Sequence, residues 1–107
     1  MGGKGTFAPG TARNRIAVAP LDGTWRVERR SGVLPPMVGV RKRIAGTRGE
    51  TLVGPIGIPF DVRGTELHYR TPFTGFVDVL ELVDDRTAHG RATFRGREFA
   101  LFDLKRI

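Results

Sequence analysis

Apolar and polar residues alternate along several short stretches of the chain, a period of two that is typical of half-buried β-strands. Between Thr24 and Arg30, Trp25 and Val27 share one face while charged side chains occupy the other. A further stretch of this kind is found at 37–44, and both predict strands with one face turned towards a core. Short strands are also predicted at 15–19, at an edge, and at 51–53.

Two β-hairpins are predicted where alternating stretches flank a short polar turn that contains glycine. The paired stretches are 60–62 with 67–69, around Gly64, and 87–94 with 98–106, around Gly96. Residues 75–83 fit either a helical face or an extended one. The β-branched Val77, Val79 and Val83 favour a strand there.

Glycine and proline divide the chain into short pieces. The 107 residues include 15 Gly and 7 Pro, and the prolines within 55–59 predict an irregular segment. About eight short strands remain, at roughly ten-residue spacing, which is typical of sandwiches and barrels. Because closure removes the exposed edges of a sheet, we predict an all-β fold, a small antiparallel up-and-down β-barrel.

The length of the chain fits one domain, which we expect at residues 15–107 after a flexible basic tail at 1–14. Cysteine is absent, which excludes disulfides and Cys-ligated zinc and fits a reducing cytoplasm. The N-terminus has no apolar run typical of a signal peptide, and nothing reaches the roughly 18 apolar residues of a membrane-spanning helix. We therefore expect a cytoplasmic protein without a membrane span.

The net charge of +7, from 18 basic and 11 acidic residues, can attract polyanions. Acidic residues lie among the arginines, so the charge is expected to be dispersed rather than collected in one stripe. This predicts weak, non-specific binding to polyanions. The alternative architecture is a small five-stranded barrel that stacks nucleic-acid bases on its sheet.

One short motif stands at the start of the first long strand, where Gly23, Trp25 and Arg29 form the pattern Gly-x-Trp-x-x-x-Arg. Gly-x-Trp resembles the signature of lipocalin-like (calycin) β-barrels, and the longer form is similar to a small bacterial family named for it. The resemblance implies a barrel in which Trp25 closes one end beneath a basic side chain of the last strand. Arg106, or otherwise Lys105, stands where that partner would come from; a guanidinium can stack on an indole and bind carbonyls.

Three charged residues fall on faces that the alternation turns inwards. Arg29 continues the apolar face of the first strand, Lys42 that of the second, and Asp78 that of the segment beginning at Phe76. A buried charge is costly unless it is paired, so these residues predict a cluster of Arg29 and Lys42 with Asp78 in a solvated pocket. Otherwise they mark strand ends where side chains reach water. With Tyr69 and Phe76, they form the set of candidate ligand-binding residues.

No nucleophile elbow, P-loop or dinucleotide-binding fingerprint is evident in the sequence. Asp78, Tyr69 and His68 could still act as acids or bases in a cavity. The two histidines, His68 and His89, have no second ligand at a recognisable spacing, so neither a metal nor a cofactor is expected.

These features favour binding of a small, largely apolar or amphipathic ligand, with or without an anionic group that meets Arg29 or Lys42. A small eight-stranded barrel has room for side chains or for one such ligand. The alternatives are an isomerase or cyclase that uses an acid or base in the same cavity, and a small nucleic-acid-binding barrel. The sequence is compatible with both a monomer and an oligomer.

Overall fold

The computed structural model describes residues 20–107, which form eight antiparallel strands and no helix. The strands are β1 (Gly23–Gly32), β2 (Arg41–Ala45), β3 (Arg48–Val53), β4 (Ile56–Arg63), β5 (Glu66–Tyr69), β6 (Phe76–Asp84), β7 (Thr87–Phe94) and β8 (Arg97–Arg106). Each strand pairs with the next along the chain, and β8 returns to pair with β1, so the sheet is a closed up-and-down barrel. The predicted fold class is confirmed, and the five-stranded alternative is wrong. The predicted tail at 1–14 and strand at 15–19 lie outside the described residues.

Both predicted hairpins are present, and residues 75–83 belong to strand β6 rather than to a helix. Among residues 20–107 there is no helix long and apolar enough to cross a membrane.

The prediction of an irregular segment at 55–59 is wrong, because β4 begins at Ile56. Pro55 lies in the turn before the strand, while Pro59 is inside it and pairs with Glu50 of β3. The carbonyl of Pro59 faces the other neighbour, β5, and accepts from the amide of Arg70 at 3.4 Å. Its nitrogen faces the same side, beside Arg70 just after the end of β5, so the missing N–H removes only a bond at the end of the ladder, and the Arg70 carbonyl accepts from the amide of Phe73 at 2.7 Å instead.

Strand β2 begins later than the alternation predicts. Val38 is 95% exposed in the connection after β1, and regular pairing starts only at Arg41. Val40, just before the strand, is buried and its carbonyl accepts from the amide of Val27 at 3.0 Å. The connection between β1 and β2 therefore remains outside the sheet up to Val40 and can cross one end of the barrel.

One end of the barrel is filled by large apolar side chains and closed by Trp25. The indole is fully buried, and its Nε1 donates to the carbonyl of Leu21 at 2.9 Å. The structure places Arg106, not Lys105, over this ring, with the guanidinium carbon 4.1 Å from the ring centroid. Arg106 also donates to the backbone carbonyls of Pro20, Asp22 and Asp85. The chain before β1 and the turn after β6 are thus attached to the closed end.

Two glycines stand directly opposite phenylalanines, and the aromatic rings occupy the space that a side chain at each glycine would fill. Gly49 is the register partner of Phe60, and Gly90 that of Phe102. A Cβ atom at Gly49 would lie 2.5 Å from the Phe60 ring, and one at Gly90 would lie 2.3 Å from the Phe102 ring. Both distances are far below van der Waals contact, so these strand positions accept only glycine without a shift of the ring.

Candidate functional site

The other end of the barrel contains a cavity of about 680 Å³. Its walls are almost entirely apolar and include Leu34, Met37, Ile58, Phe76, Phe99 and Phe102. Leu34 and Met37 belong to the connection between β1 and β2, which crosses this end and packs partly on the core. Phe73, in the connection between β5 and β6, is 42% exposed and also lines the cavity. The mouth of the cavity therefore lies beside this connection.

Four polar side chains from four strands meet at the inner end of this cavity. Lys42 of β2 and Asp78 of β6 are 3% and 7% exposed, and Lys42 Nζ lies 3.0 Å from Asp78 Oδ2. The same Nζ lies 2.8 Å from Thr51 Oγ1 of β3 and 2.7 Å from the Tyr69 hydroxyl of β5. Tyr69 in turn lies 3.0 Å from Asp78 Oδ2 and 2.7 Å from Thr51 Oγ1. We refer to these four residues as the polar cluster.

The strand period brings these side chains to the interior. Lys42 lies between the buried Val40 and Ile44 on the inner face, and Asp78 lies two residues before the buried Leu80. Pairing then fixes the neighbours across strands, because Thr51 is the direct register partner of Lys42. Residues opposite one another in an antiparallel pair project from the same face of the sheet.

Charge and burial keep Lys42 and Tyr69 protonated at neutral pH. Burial alone would lower the pKa of Lys42, but the adjacent Asp78 carboxylate and Tyr69 outweigh it and raise that pKa above its ordinary value. Burial raises the pKa of Tyr69, although the Lys42 charge opposes the rise. The lysine is therefore a cation and the phenol is neutral at neutral pH.

Aromatic rings surround the ammonium group of Lys42. Its Nζ lies 5.8, 5.4 and 5.5 Å from the ring centroids of Phe60, Tyr69 and Phe102. Ring faces within about 6 Å attract a cation, an effect that is larger where water is excluded. The rings of Phe60 and Phe102, opposite Gly49 and Gly90, thus form part of the site as well as of the core.

The structure brings four of the predicted site residues to the cavity: Lys42, Tyr69, Phe76 and Asp78. The predicted place of Arg29 in the cluster is wrong. Arg29 stands opposite Phe102 in register but near the open end of β1, where its side chain is exposed and donates to the carbonyl of Gly32 at 3.2 Å. A long side chain at a strand end can reach water even from an inner register position.

His68 lies outside the cavity, so the prediction that it acts as an acid or base there is wrong. It precedes the inward-facing Tyr69, pairs with Asp61 in register, and hydrogen-bonds through Nε2 to Glu66 Oε1 at 2.9 Å. His89 is likewise bound to a carboxylate, that of Asp103, at 2.7 Å. Within the described part of the chain, no group of three or more His, Cys, Asp or Glu side chains is placed to hold a metal ion.

Sequence reasoning missed Thr51 and the β1–β2 connection. Thr51 falls in a predicted strand, but its contact with Lys42 depends on the register between two strands, which single-strand alternation does not report. Leu34 lies in a proline-containing segment without periodicity, and Met37 begins the stretch at 37–44 on the face opposite Val38 and Val40, so no local signal marks either residue as cavity lining.

Comparison with known proteins gave no match: no family model fits the chain, and no curated protein or solved structure is significantly similar to it. The chemistry of the cavity is therefore the basis on which a function can be proposed.

Proposed function

We propose that the protein binds a small, largely apolar ligand in the open half of its barrel. The observation that carries the proposal is the cavity itself. Its volume of about 680 Å³ lies within the range of roughly 300–1,000 Å³ typical of small-molecule sites. Its apolar walls favour an apolar body, since each Å² of apolar surface removed from water contributes about 25 cal/mol.

The distribution of side-chain size along the barrel supports this function. The largest fully buried side chains are Trp25, Phe60, Leu67 and Leu104, and they pack in the half that Trp25 closes. Towards the open end, the inner positions of β7 and β8 are Ala92 and Ala100, which are register partners. Small residues at these positions leave space that a barrel stabilised only by its own core would fill.

The protonation state of the polar cluster favours binding over the isomerase or cyclase alternative. With raised pKa values, Lys42 and Tyr69 both keep their protons at neutral pH. An efficient acid or base has a pKa near the working pH, so that it can exchange a proton during the reaction. Lys42 and Tyr69 are therefore poorly suited to exchange protons with a bound molecule.

Uptake of the apolar fluorophore N-phenylnaphthylamine tests the proposal. We expect the wild-type protein to bind about one molecule per chain with increased fluorescence, and Ala92→Phe to weaken uptake at least about tenfold by occupying the cavity. Arg91→Phe is the matched control, because Arg91 precedes Ala92 on β7 and is exposed. No uptake by the wild type, or equal uptake by both variants, would contradict the proposal.

We also propose a weaker, separate activity, non-specific binding of polyanions on the outer face. Lys105, Arg26 and Arg41 are register neighbours across β8, β1 and β2, in a chain of net charge +7. In fluorescence anisotropy with a labelled oligonucleotide, affinity should fall steeply between about 50 and 200 mM salt, because phosphate contacts release counterions. Arg41→Gln should weaken this binding and leave fluorophore uptake unchanged. Tight oligonucleotide binding at high salt without fluorophore uptake would instead support a nucleic-acid-binding barrel.

A further inference from the structure

The ammonium group of Lys42 directs all three of its hydrogens to oxygen atoms of the polar cluster. A protonated lysine has three hydrogens to donate and no acceptor. Three oxygens lie within hydrogen-bond distance of Nζ: Thr51 Oγ1 at 2.8 Å, the Tyr69 hydroxyl at 2.7 Å and Asp78 Oδ2 at 3.0 Å. Lys42 therefore has no hydrogen left for a molecule in the cavity.

The directions of the two remaining hydrogen bonds follow from the carboxylate. An ionised carboxylate only accepts, so Tyr69 donates its hydrogen to Asp78 Oδ2, 3.0 Å away. The phenol hydrogen is then used, and Thr51 must be the donor in its 2.7 Å contact with the Tyr69 hydroxyl. Both hydroxyl hydrogens are thus also retained within the cluster.

The polar cluster consequently offers acceptors and no donor to the cavity. Asp78 lines the cavity, and its Oδ1 receives no hydrogen bond from any of residues 20–107, whereas Oδ2 accepts from Tyr69 and forms the ion pair with Lys42. A largely buried carboxylate oxygen is stabilised by a donor, because burial of a polar group without a hydrogen-bond partner is unfavourable. Asp78 Oδ1 is therefore positioned to accept a hydrogen bond from a donor group of a ligand in the cavity.

We propose that the ligand is an apolar alcohol or phenol whose hydroxyl donates to Asp78 Oδ1. This inference rests on the proposed function and adds the chemical class of the ligand. A carboxylate or phosphate head would need a donor, yet those of Lys42 are used and Arg29 is exposed outside the cluster. An ammonium head would sit on the carboxylate that Lys42 already occupies, where two like charges repel.

Isothermal titration calorimetry with four molecules of equal chain length tests the inference on the wild-type protein. We expect decanol to bind about ten- to hundredfold more tightly than decyl methyl ether, which has no hydrogen to donate. Decanol should also bind more tightly than decanoate and decylamine. Equal affinities for decanol and the ether, or tighter binding of decanoate or decylamine, would overturn the inference and leave apolar ligand binding intact. Failure of all four to bind would overturn the proposed function itself.

A double variant tests whether Asp78 is the acceptor. Lys42→Met/Asp78→Leu removes both charges together and so leaves no unpaired charge in the interior. We expect it to bind decyl methyl ether while losing most of its preference for decanol. The control is Asp61→Leu/Arg70→Met, which removes an exposed ion pair of 2.6 Å and should keep the full preference. Retention of that preference by the Lys42/Asp78 variant overturns the inference. If the variant fails to fold, the wild-type ligand series alone decides.

Discussion

At the scale of single residues, Arg106 combines contacts that depend on the shape of its side chain. The guanidinium is planar, so its face can stack on Trp25 while its nitrogens donate outwards in the same plane. Its carbon lies 4.1 Å from the indole centroid, and its donors reach the carbonyls of Pro20, Asp22 and Asp85. One side chain thus covers the closed end and connects it to two turns that are far apart in sequence.

Replacing Arg106 by lysine should lower the free energy of unfolding by about 1–3 kcal/mol, because an ammonium group can neither stack flat nor bind three carbonyls. Urea unfolding followed by the fluorescence of Trp25, the one tryptophan of the chain, measures the change. Lys105→Arg is the control at the neighbouring position and should stay within about 0.5 kcal/mol. Equal effects of the two variants would mean that the contacts of Arg106 are not stabilising.

At the scale of elements, the strands are shaped by what stands opposite each residue. On β7, Gly90 faces Phe102 of β8, and the missing side chain makes room for a ring that also forms cavity wall. On β4, Gly57 faces Leu52 of β3. A Cβ there would collide with the carboxylate of Glu50, the far end of a flexible side chain, and would lie in ordinary van der Waals contact with Leu52. Glycine is therefore required at the first position and dispensable at the second.

Gly90→Ala should destabilise the protein by about 1–3 kcal/mol, since the methyl group overpacks the site and displaces Phe102. Gly57→Ala should be neutral or stabilising by about 0.4–1 kcal/mol, because alanine restricts the unfolded chain. Thermal unfolding followed by circular dichroism compares the two. We also expect Gly90→Ala, and not Gly57→Ala, to change the affinity for N-phenylnaphthylamine. A Gly90→Ala protein as stable as the wild type would show that the ring moves at no cost.

At the scale of the whole molecule, closure of the barrel places an ion pair at its centre. Lys42 and Asp78 come from β2 and β6, and β5 and β3 contribute Tyr69 and Thr51. Removing one partner of a buried pair is strongly unfavourable, whereas apolar replacement of both is often neutral. The ion pair is therefore not needed for stability, which agrees with the proposed role of the cluster in ligand binding.

The raised pKa values of Lys42 and Tyr69 predict a loss of stability at alkaline pH. Below pH about 10 both groups are protonated in the folded and unfolded states, so neither makes the free energy of unfolding depend on pH. Above it the unfolded chain releases both protons while the folded chain keeps them, and stability should fall by about 1.4 kcal/mol per pH unit for each retained proton. Urea unfolding between pH about 8 and 11 should show a steeper decline for the wild type than for Lys42→Met/Asp78→Leu. If the free energy of unfolding of the two proteins fell equally with pH, the retained proton of Lys42 would not be the cause of the decline.

The sequence by itself determined the features that depend on neighbours along the chain. Alternation identified the strands and placed Lys42 and Asp78 on inner faces, because side chains of a strand point to opposite sides in turn. Glycine in short polar turns located both hairpins. The strand over 75–83 followed from β-branched residues.

Only the tertiary structure decided what depends on contacts between distant segments. Pro59 is accommodated in β4 because β5 ends beside it, and Arg29 is exposed because its part of β1 lies at the open end of the barrel. The partnership of Thr51 with Lys42 required the register of two strands, and the cavity required closure of all eight described strands together with small side chains at one end. A pattern with a period of two states which face a residue occupies, but not which residue stands opposite it or how much space remains between them.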